Sequence, residues 1–447
     1  MGVTRKGFAA WLVIASVLAI GLSSIAYAQS GEVCGPMPAP VPVLRPVLAG
    51  ANFAPSESAI DCFMWQSFIY LNWPALDVIR GAPDMSASFD DSGPTVWETY
   101  KSYDAVFLPN AAVPAGWNDD LQKHNLLLRR HILNPGPALR ILNSVSKVFR
   151  SFAGSKSENL DDIHQVDGGV LYDQAGTPVY YEMMVNAREF NYIVDNRLYD
   201  ADVQYRFVQK SAIVLPAGSM EIKAAWKVLT PEEAHAKPLR FHTVRGVLPG
   251  SNKPVTVGLV GLHIYQVPSA TNFNQGFWAT FQQIDNAPQP GDVHETAYSF
   301  NDPRCTASRC PPNTPTVRGT PTQVAQAIAI APAARAVNAY VARMIKARYP
   351  KSPWQFYQMI GVQWPTAPQP FDKAAWLKML PEGSPNSTTM VNPVMETFIQ
   401  REGISCLNCH AAASVAVPRD VPNRQPYATS YSFLFGHAHS RADVVSK

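Results

Sequence analysis

The chain has 447 residues, 37 Lys and Arg against 34 Asp and Glu, a formal net charge of +3, and a charged fraction of 16%. A balance so near neutral excludes the broad basic face by which proteins hold nucleic acid or an anionic membrane surface. The 39 prolines and 47% hydrophobic content point to a loop-rich globular body of one large or two ordinary domains, not a helical bundle.

Residues 1–28 read as a cleavable signal peptide. Arg5 and Lys6 precede an apolar run from Phe8 to Ile25, and Ala26-Tyr27-Ala28 is a small-x-small cleavage site before Gln29. The expectation is export to the periplasm with no stable membrane insertion after cleavage. Removing Arg5 and Lys6 brings the balance closer still to neutral.

Residues 29–165 form a Pro-rich arm followed by an irregular and helical region. Within it, Ser58 to Asn72 has helical periodicity with Met64, Phe68 and Leu71 on one face, and Pro74 stops it. Its aromatics Trp65, Phe68 and Tyr70 could line a cofactor pocket, though an apolar stripe at this spacing is ordinarily core. His124, His131 and His164 are isolated and read as structural.

Residues 166–330 form an antiparallel β-rich body. Leu171 to Pro178 looks like a strand entering a turn that pairs as a hairpin with Val179 to Asn186, and a short helix follows over Arg188 to Asn196. Ala212 to Leu215 is a short β run. From Ser219 to Leu229, Met220, Ile222, Ala224 and Trp226 alternate with Glu221, Lys223, Ala225 and Lys227, which predicts one buried and one polar face. Val255 to Gln266 and Gly276 to Ile284 are further strands. In the first of these, His263 is expected on the face with Val257, Leu259 and Tyr265, bonded to a backbone group. Gly258 and Gly261 permit close approach of a backbone or a flat ligand. Four cysteines, Cys34, Cys62, Cys305 and Cys310, are even in number in an exported chain, which favours bridges Cys34–Cys62 and Cys305–Cys310.

Residues 331–400 carry an amphipathic helix from Pro332, with Val337, Tyr340, Val341, Met344 and Ile345 inward. Arg335, Arg343, Lys346 and Arg348 form a basic outer face, a solvated surface or a docking face for a redox partner. Trp354 to Trp364 reads as a strand, and Met390 to Gln400 leads into the last segment, 401–447.

That segment holds Cys406-Leu407-Asn408-Cys409-His410. In a C-x-x-C-H run two thiols one helical turn apart reach the two vinyl groups of one haem, and the adjacent imidazole ligates its iron. Cys406 and Cys409 are therefore the candidate attachment residues for one covalent haem c per chain, and His410 the candidate proximal ligand. No Met follows His410. The iron's second face is then open or water-ligated, or filled by His437 or His439, or by Met390 or Met395.

The motif resembles that of periplasmic mono-haem c-type cytochromes. Tyr180 to Asn186, Leu215 to Lys223, a strand pair ending in Trp278, and the late Cys406–His410 with its aromatic tail resemble the β-sheet cytochromes, the hydroxylamine-oxidising and c′-β types. That resemblance implies a sheet lining the distal pocket and nominates Lys223 for the lysine–haem cross-link of the oxidising enzymes. The strand pattern itself makes Lys223 a salt-bridged surface lysine beside Glu221.

The expectation is an α+β protein, mainly an antiparallel β-sheet body with flanking helices and a C-terminal c-type haem segment. Its function would be redox chemistry on hydroxylamine, nitric oxide or peroxide at an open iron. Alternatives are an electron carrier with a second axial His, and a gas sensor or scavenger. Partners would be a small-molecule redox substrate, a periplasmic electron-transfer protein, or both.

Overall fold

A computed structural model describes residues 34, 42, 56–119, 140–141, 169–248, 254–268, 276–364, 389–418, 420–421 and 427–441. The signal segment, nearly all of the arm, and His124, His131 and His164 lie outside the described residues. The fold is α+β, built on a mostly antiparallel sheet of eight strands: β1 (Lys101–Ser102), β2 (Arg140–Ile141), β3 (Tyr180–Val185), β4 (Met220–Val228), β5 (Thr243–Val247), β6 (Pro254–Gln266), β7 (Phe277–Gln283) and β8 (Tyr357–Gln363). β6 is the trunk. One edge pairs with β4, while the other is shared between β5 at its start and β7 at its end, and β8 extends the sheet from β7.

Around the sheet lie helices α1 (Glu57–Leu71), α2 (Tyr103–Val106), α3 (Ala187–Asp195), α4 (Ala201–Val208), α5 (Pro231–Ala234), α6 (Pro332–Arg348) and α7 (Cys406–His410). α1 starts where the Ser56 hydroxyl accepts from Ala59 N, an N-cap that satisfies an otherwise orphan donor. It ends at Asn72, two residues short of Pro74. Together α1 and α6 cover the face bearing Ile222, Trp226, Phe277 and Phe281. Phe68 stands 4.5 Å from Phe281 and 5.5 Å from Trp354, ring to ring. Trp65 donates its indole N–H to Asn338 on α6 at 2.9 Å, which in turn donates to the Met359 carbonyl on β8. Trp65 and Phe68 are thus core on this face.

Pairing aligns the opposite face in rows. One runs Lys101, Val185, Glu221, Tyr265, Trp278, Gln363; the next Met183, Lys223, His263, Thr280, Gly361; the third Tyr181, Ala225, Gly261, Gln282. Two expectations are corrected here. Between Ala225 and Trp226 the register shifts, so Gly261 opposes Ala225 while Leu259 opposes Trp226. This bulge sends Val257 and Leu259 to the α1 face and His263 and Tyr265 to the other, because one inserted residue reverses the alternation beyond it. The second face is also not a solvent face: Lys223 and Lys227 are buried beneath a further layer formed by residues from Thr389 onward.

Other differences are local. The expected hairpin is only a bridge, Tyr172 to Pro178, closed by Asp173 over the turn; the true partner of β3 is β4. Residues 212–215 are not a strand, and β5 and α4 had no reading from sequence. The bridges Cys34–Cys62 and Cys305–Cys310 both form, consistent with an oxidising extracellular or periplasmic compartment. No helix among the described residues is long and apolar enough to cross a membrane.

Phe68 packs against four aromatic rings, Trp65, Phe281, Trp354 and Tyr357, so Phe68→Ala should lower the unfolding free energy by about 3–5 kcal/mol. A urea titration that showed no fall in midpoint would place the weight of this core elsewhere.

Candidate functional site

The segment from Thr389 to His410 lies along the second sheet face and is fixed to it by side chains that reach the sheet. Asn392 donates to Thr280 Oγ1 at 2.8 Å and to the Phe281 carbonyl at 2.9 Å, and the Tyr181 hydroxyl donates to the Val394 carbonyl. The glycines matter here: a Cβ on Gly261 would lie 2.9 Å from Val394 Cγ2, and one on Gly361 3.2 Å from Met390 Sδ. The close approach expected of Gly261 is to this segment.

α7 follows. Ser405 caps it by accepting from Asn408 N, Leu407 N donates to Gln363 Oε1 on β8 at 2.8 Å, and Leu407 is buried against Tyr265 and Trp278. That contact turns Cys406, Cys409 and His410 toward a cleft lined by His263, Met390, Glu396, Ile404 and Ser405, with about 290 Å³ of empty space that opens partly to solvent. Both thiols are half-buried.

The imidazole of His410 is held on three sides. Its Nδ1 donates to the Tyr431 carbonyl at 2.8 Å, Trp278 lies 4.0 Å away ring to ring, and Phe433 4.9 Å. A donor bond at Nδ1 leaves the lone pair on Nε2, the tautomer that a metal-ligating histidine needs. The Tyr431 carbonyl is presented by a turn in which Ser430 and Tyr431 take φ of 55° and 66°, a left-handed conformation uncommon for non-glycine residues. Tyr265 holds the turn by donating to the Ser430 carbonyl at 3.1 Å. Farther out, buried Gln204 on α4 donates to Leu198 and Phe435 carbonyls and accepts from Ala416 N, tying both arms of the tail to the body.

His263 brings its Nε2 to 3.6 Å from Glu396 Oε1, both residues buried. Lys223, opposite His263 in the sheet, is buried with its ammonium over the Tyr181 ring at 5.3 Å, which corrects the surface reading. His437 and His439 are not among the lining residues. His437 packs on Tyr103 at 4.9 Å, and burial with the adjacent His439 pushes its pKa down to about 4. His439 is exposed, its carbonyl accepting from Ala201 N at the start of α4. Met390 lines the cleft, whereas Met395 packs on Gly261.

These residues fit a haem. Two thiols one turn apart, an imidazole oriented through its Nδ1, and a buried indole N–H on Trp278 that has no acceptor among the described residues would suit covalent attachment, iron ligation and a propionate. No cluster of three or more His, Cys, Asp or Glu side chains among the described residues is arranged to hold a bare metal ion; a macrocycle would supply the remaining ligands itself. Sequence reasoning missed Glu396, Gln363 and Gln204, which carry no motif. The signal that could have found Glu396 is its place in a short, apolar stretch just before the C-x-x-C-H run.

His437 has its pKa lowered, so the unfolded chain binds the proton more readily. Its contribution to stability is complete above about pH 6.5 and is lost as pH falls toward about 4. His437→Phe should flatten that window by up to about 3 kcal/mol in denaturant titrations run across it; an unchanged pH slope would mean that the imidazole is not buried as described.

No protein family, no curated protein and no solved structure matches this chain, so the geometry of the cleft carries the functional reading.

Proposed function

We propose that this chain is an exported, periplasmic mono-haem c-type redox protein acting on a small molecule of the hydroxylamine, nitric oxide or peroxide class. The observation that carries the reading is the placing of two half-buried cysteines one turn apart on α7 with an adjacent imidazole whose Nδ1 is already bonded to Tyr431. A bound haem supplies one-electron chemistry and an axial position for a small ligand.

The chain's own residues do the rest. Cys406 and Cys409 would hold the group covalently, and His410 would ligate its iron through Nε2. The Nδ1 bond to Tyr431 and the flanking Trp278 and Phe433 fix the ring's orientation, and hydrogen bonding of this kind raises ligand basicity. His263, backed by Glu396, is an imidazole–carboxylate pair able to take or give a proton beside the cleft. Lys223 lies on the same sheet face next to His263, which suits the cross-linking role that the resemblance assigns it.

A second reading is favoured by one observation, the presence of His263 in the cleft lining. In that reading its imidazole fills the iron's second axial position and the protein is an electron carrier passing charge to a periplasmic partner. His437 and His439, packed and exposed elsewhere, lend it no support. A gas sensor or scavenger would share the open iron of the first reading.

Cys406→Ser/Cys409→Ser should abolish covalent haem, read by the intact mass of the purified protein; a retained haem adduct would end this assignment. In the reduced wild type, carbon monoxide should bind rapidly and change the visible spectrum. An inert wild type in which His263→Ala gains carbon monoxide binding would instead select the carrier.

A further inference from the structure

A pair of carboxyl groups lies beyond the cleft, on the far side of Tyr265. Glu189 projects from the first turn of α3, a helix capped by Asn186, and is fully buried. Glu221 projects from β4 in the row that continues through Tyr265 to Trp278, whose ring lies against His410. Val185, directly opposite Glu221 in the sheet, lies four residues before Glu189, which brings the two carboxyls together so that the charge of one acts on the other. Both oxygens of Glu189 and Oε1 of Glu221 are buried with no hydrogen-bond partner among the described residues.

Two carboxylates in contact cannot both ionise, so one proton stays between them. Burial, then the charge of Glu221, holds Glu189 well above the usual carboxylate range; burial pushes Glu221 up to about 7. The other ionisable groups around the pair do not neutralise it. Tyr265 is itself held well above its usual range, by burial and then by Glu221. Tyr431 is buried in the tail turn. Lys101 lies over the Phe190 ring, Arg188 bonds the Ala217 carbonyl, and Lys223 sits one row away over Tyr181.

We infer that the Glu189–Glu221 pair is a redox-linked proton site: it takes one proton from solvent when the haem accepts one electron, and releases it on oxidation. The inference rests on the haem reading. The link is short: Glu221 stands opposite Tyr265 in the sheet, the Tyr265 hydroxyl donates to the Ser430 carbonyl, and the carbonyl of the adjacent Tyr431 accepts from His410 Nδ1. Added negative charge at the iron weakens the pull on that N–H, and a proton on the pair offsets it. Fully buried Glu189 keeps the standing proton, and Glu221, only partly buried, is where the redox-linked proton enters from water and leaves to it. The electron comes from any one-electron donor and the proton from bulk water, so nothing else is consumed.

The test is an optical redox titration of the holoprotein, with covalent haem first verified by mass. In the wild type the midpoint potential should fall as pH rises through about 7, approaching the roughly 59 mV per tenfold change in proton activity of a one-proton, one-electron couple. Glu221→Gln and Glu189→Gln should lose most of that slope while keeping the haem. A slope that survives both substitutions overturns the inference, as does a pH-independent wild type; absence of haem would instead overturn the reading beneath it. Because a variant could fail to fold, the wild type carries a second readout. Its reduced-minus-oxidised infrared spectrum with isotope-labelled Glu should show a protonated carboxyl band gained on reduction, and no such band would count against the site.

Discussion

Burial of the β4–β6 pair on both faces is the constraint from which the rest of the molecule follows. A strand covered on one side only can alternate apolar and polar residues and leave the polar set in water. Here one side is sealed by aromatic residues of α1 and α6, so the other must satisfy Glu221, Lys223, His263 and Tyr265 without solvent. Buried polar groups cost free energy unless they are bonded, and the layer that supplies those partners is the irregular chain after Thr389. That chain cannot be replaced by a plain apolar helix, because Asn392, Glu396 and Ser430 are all placed by sheet side chains that need them.

This constraint also accounts for the rigidity of the candidate site. α7 has only five residues and would not persist alone, since helix nucleation is unfavourable at that length. It holds because Leu407 is buried and its N–H is taken by Gln363, while Gln204 secures the tail that carries Tyr431. Each support originates on a different element, β8 for Gln363, β7 for Trp278, β6 for Tyr265 and α4 for Gln204. The orientation of one imidazole therefore integrates much of the fold, and the left-handed turn at Ser430–Tyr431 persists because those supports outweigh its backbone strain.

The parts of this arrangement legible in the amino-acid sequence were those with a local signature. α1, α6, β4, β6 and β7 each have a period and a stop signal, the C-x-x-C-H run has a fixed spacing, and the cysteine pairing follows from number and compartment. The bulge between Ala225 and Trp226 has no such signature, because an inserted residue changes nothing in composition, yet it decides which face His263 occupies. Lys223 was misread for a related reason: alternation reports that two faces differ, not that the polar one is wet. Only the tertiary contacts of the described residues from Thr389 onward show that this face receives a second layer.

The distribution of ionisable groups on the two trunk strands separates function from stability as the reason for their burial. On β4 and β6 the groups Glu221, Lys223, Lys227, His263 and Tyr265 all project from the face that meets the C-terminal layer, and none from the face that meets α1 and α6. Buried ion pairs contribute little net stability and are often matched or exceeded by apolar replacements, so a fold under pressure for stability alone has no reason to gather them on one face. Lys227 is accounted for by Asp173 and Glu233 at the distant end of β4. The remaining four lie in the two rows nearest α7, and of these burial shifts Glu221 and Tyr265 upward, as is characteristic of working sites. On the haem reading proposed above, a sheet whose buried acids and bases lie beside two thiols and one oriented imidazole would serve the movement of charge there, with electrons at the haem and protons along the rows beside it.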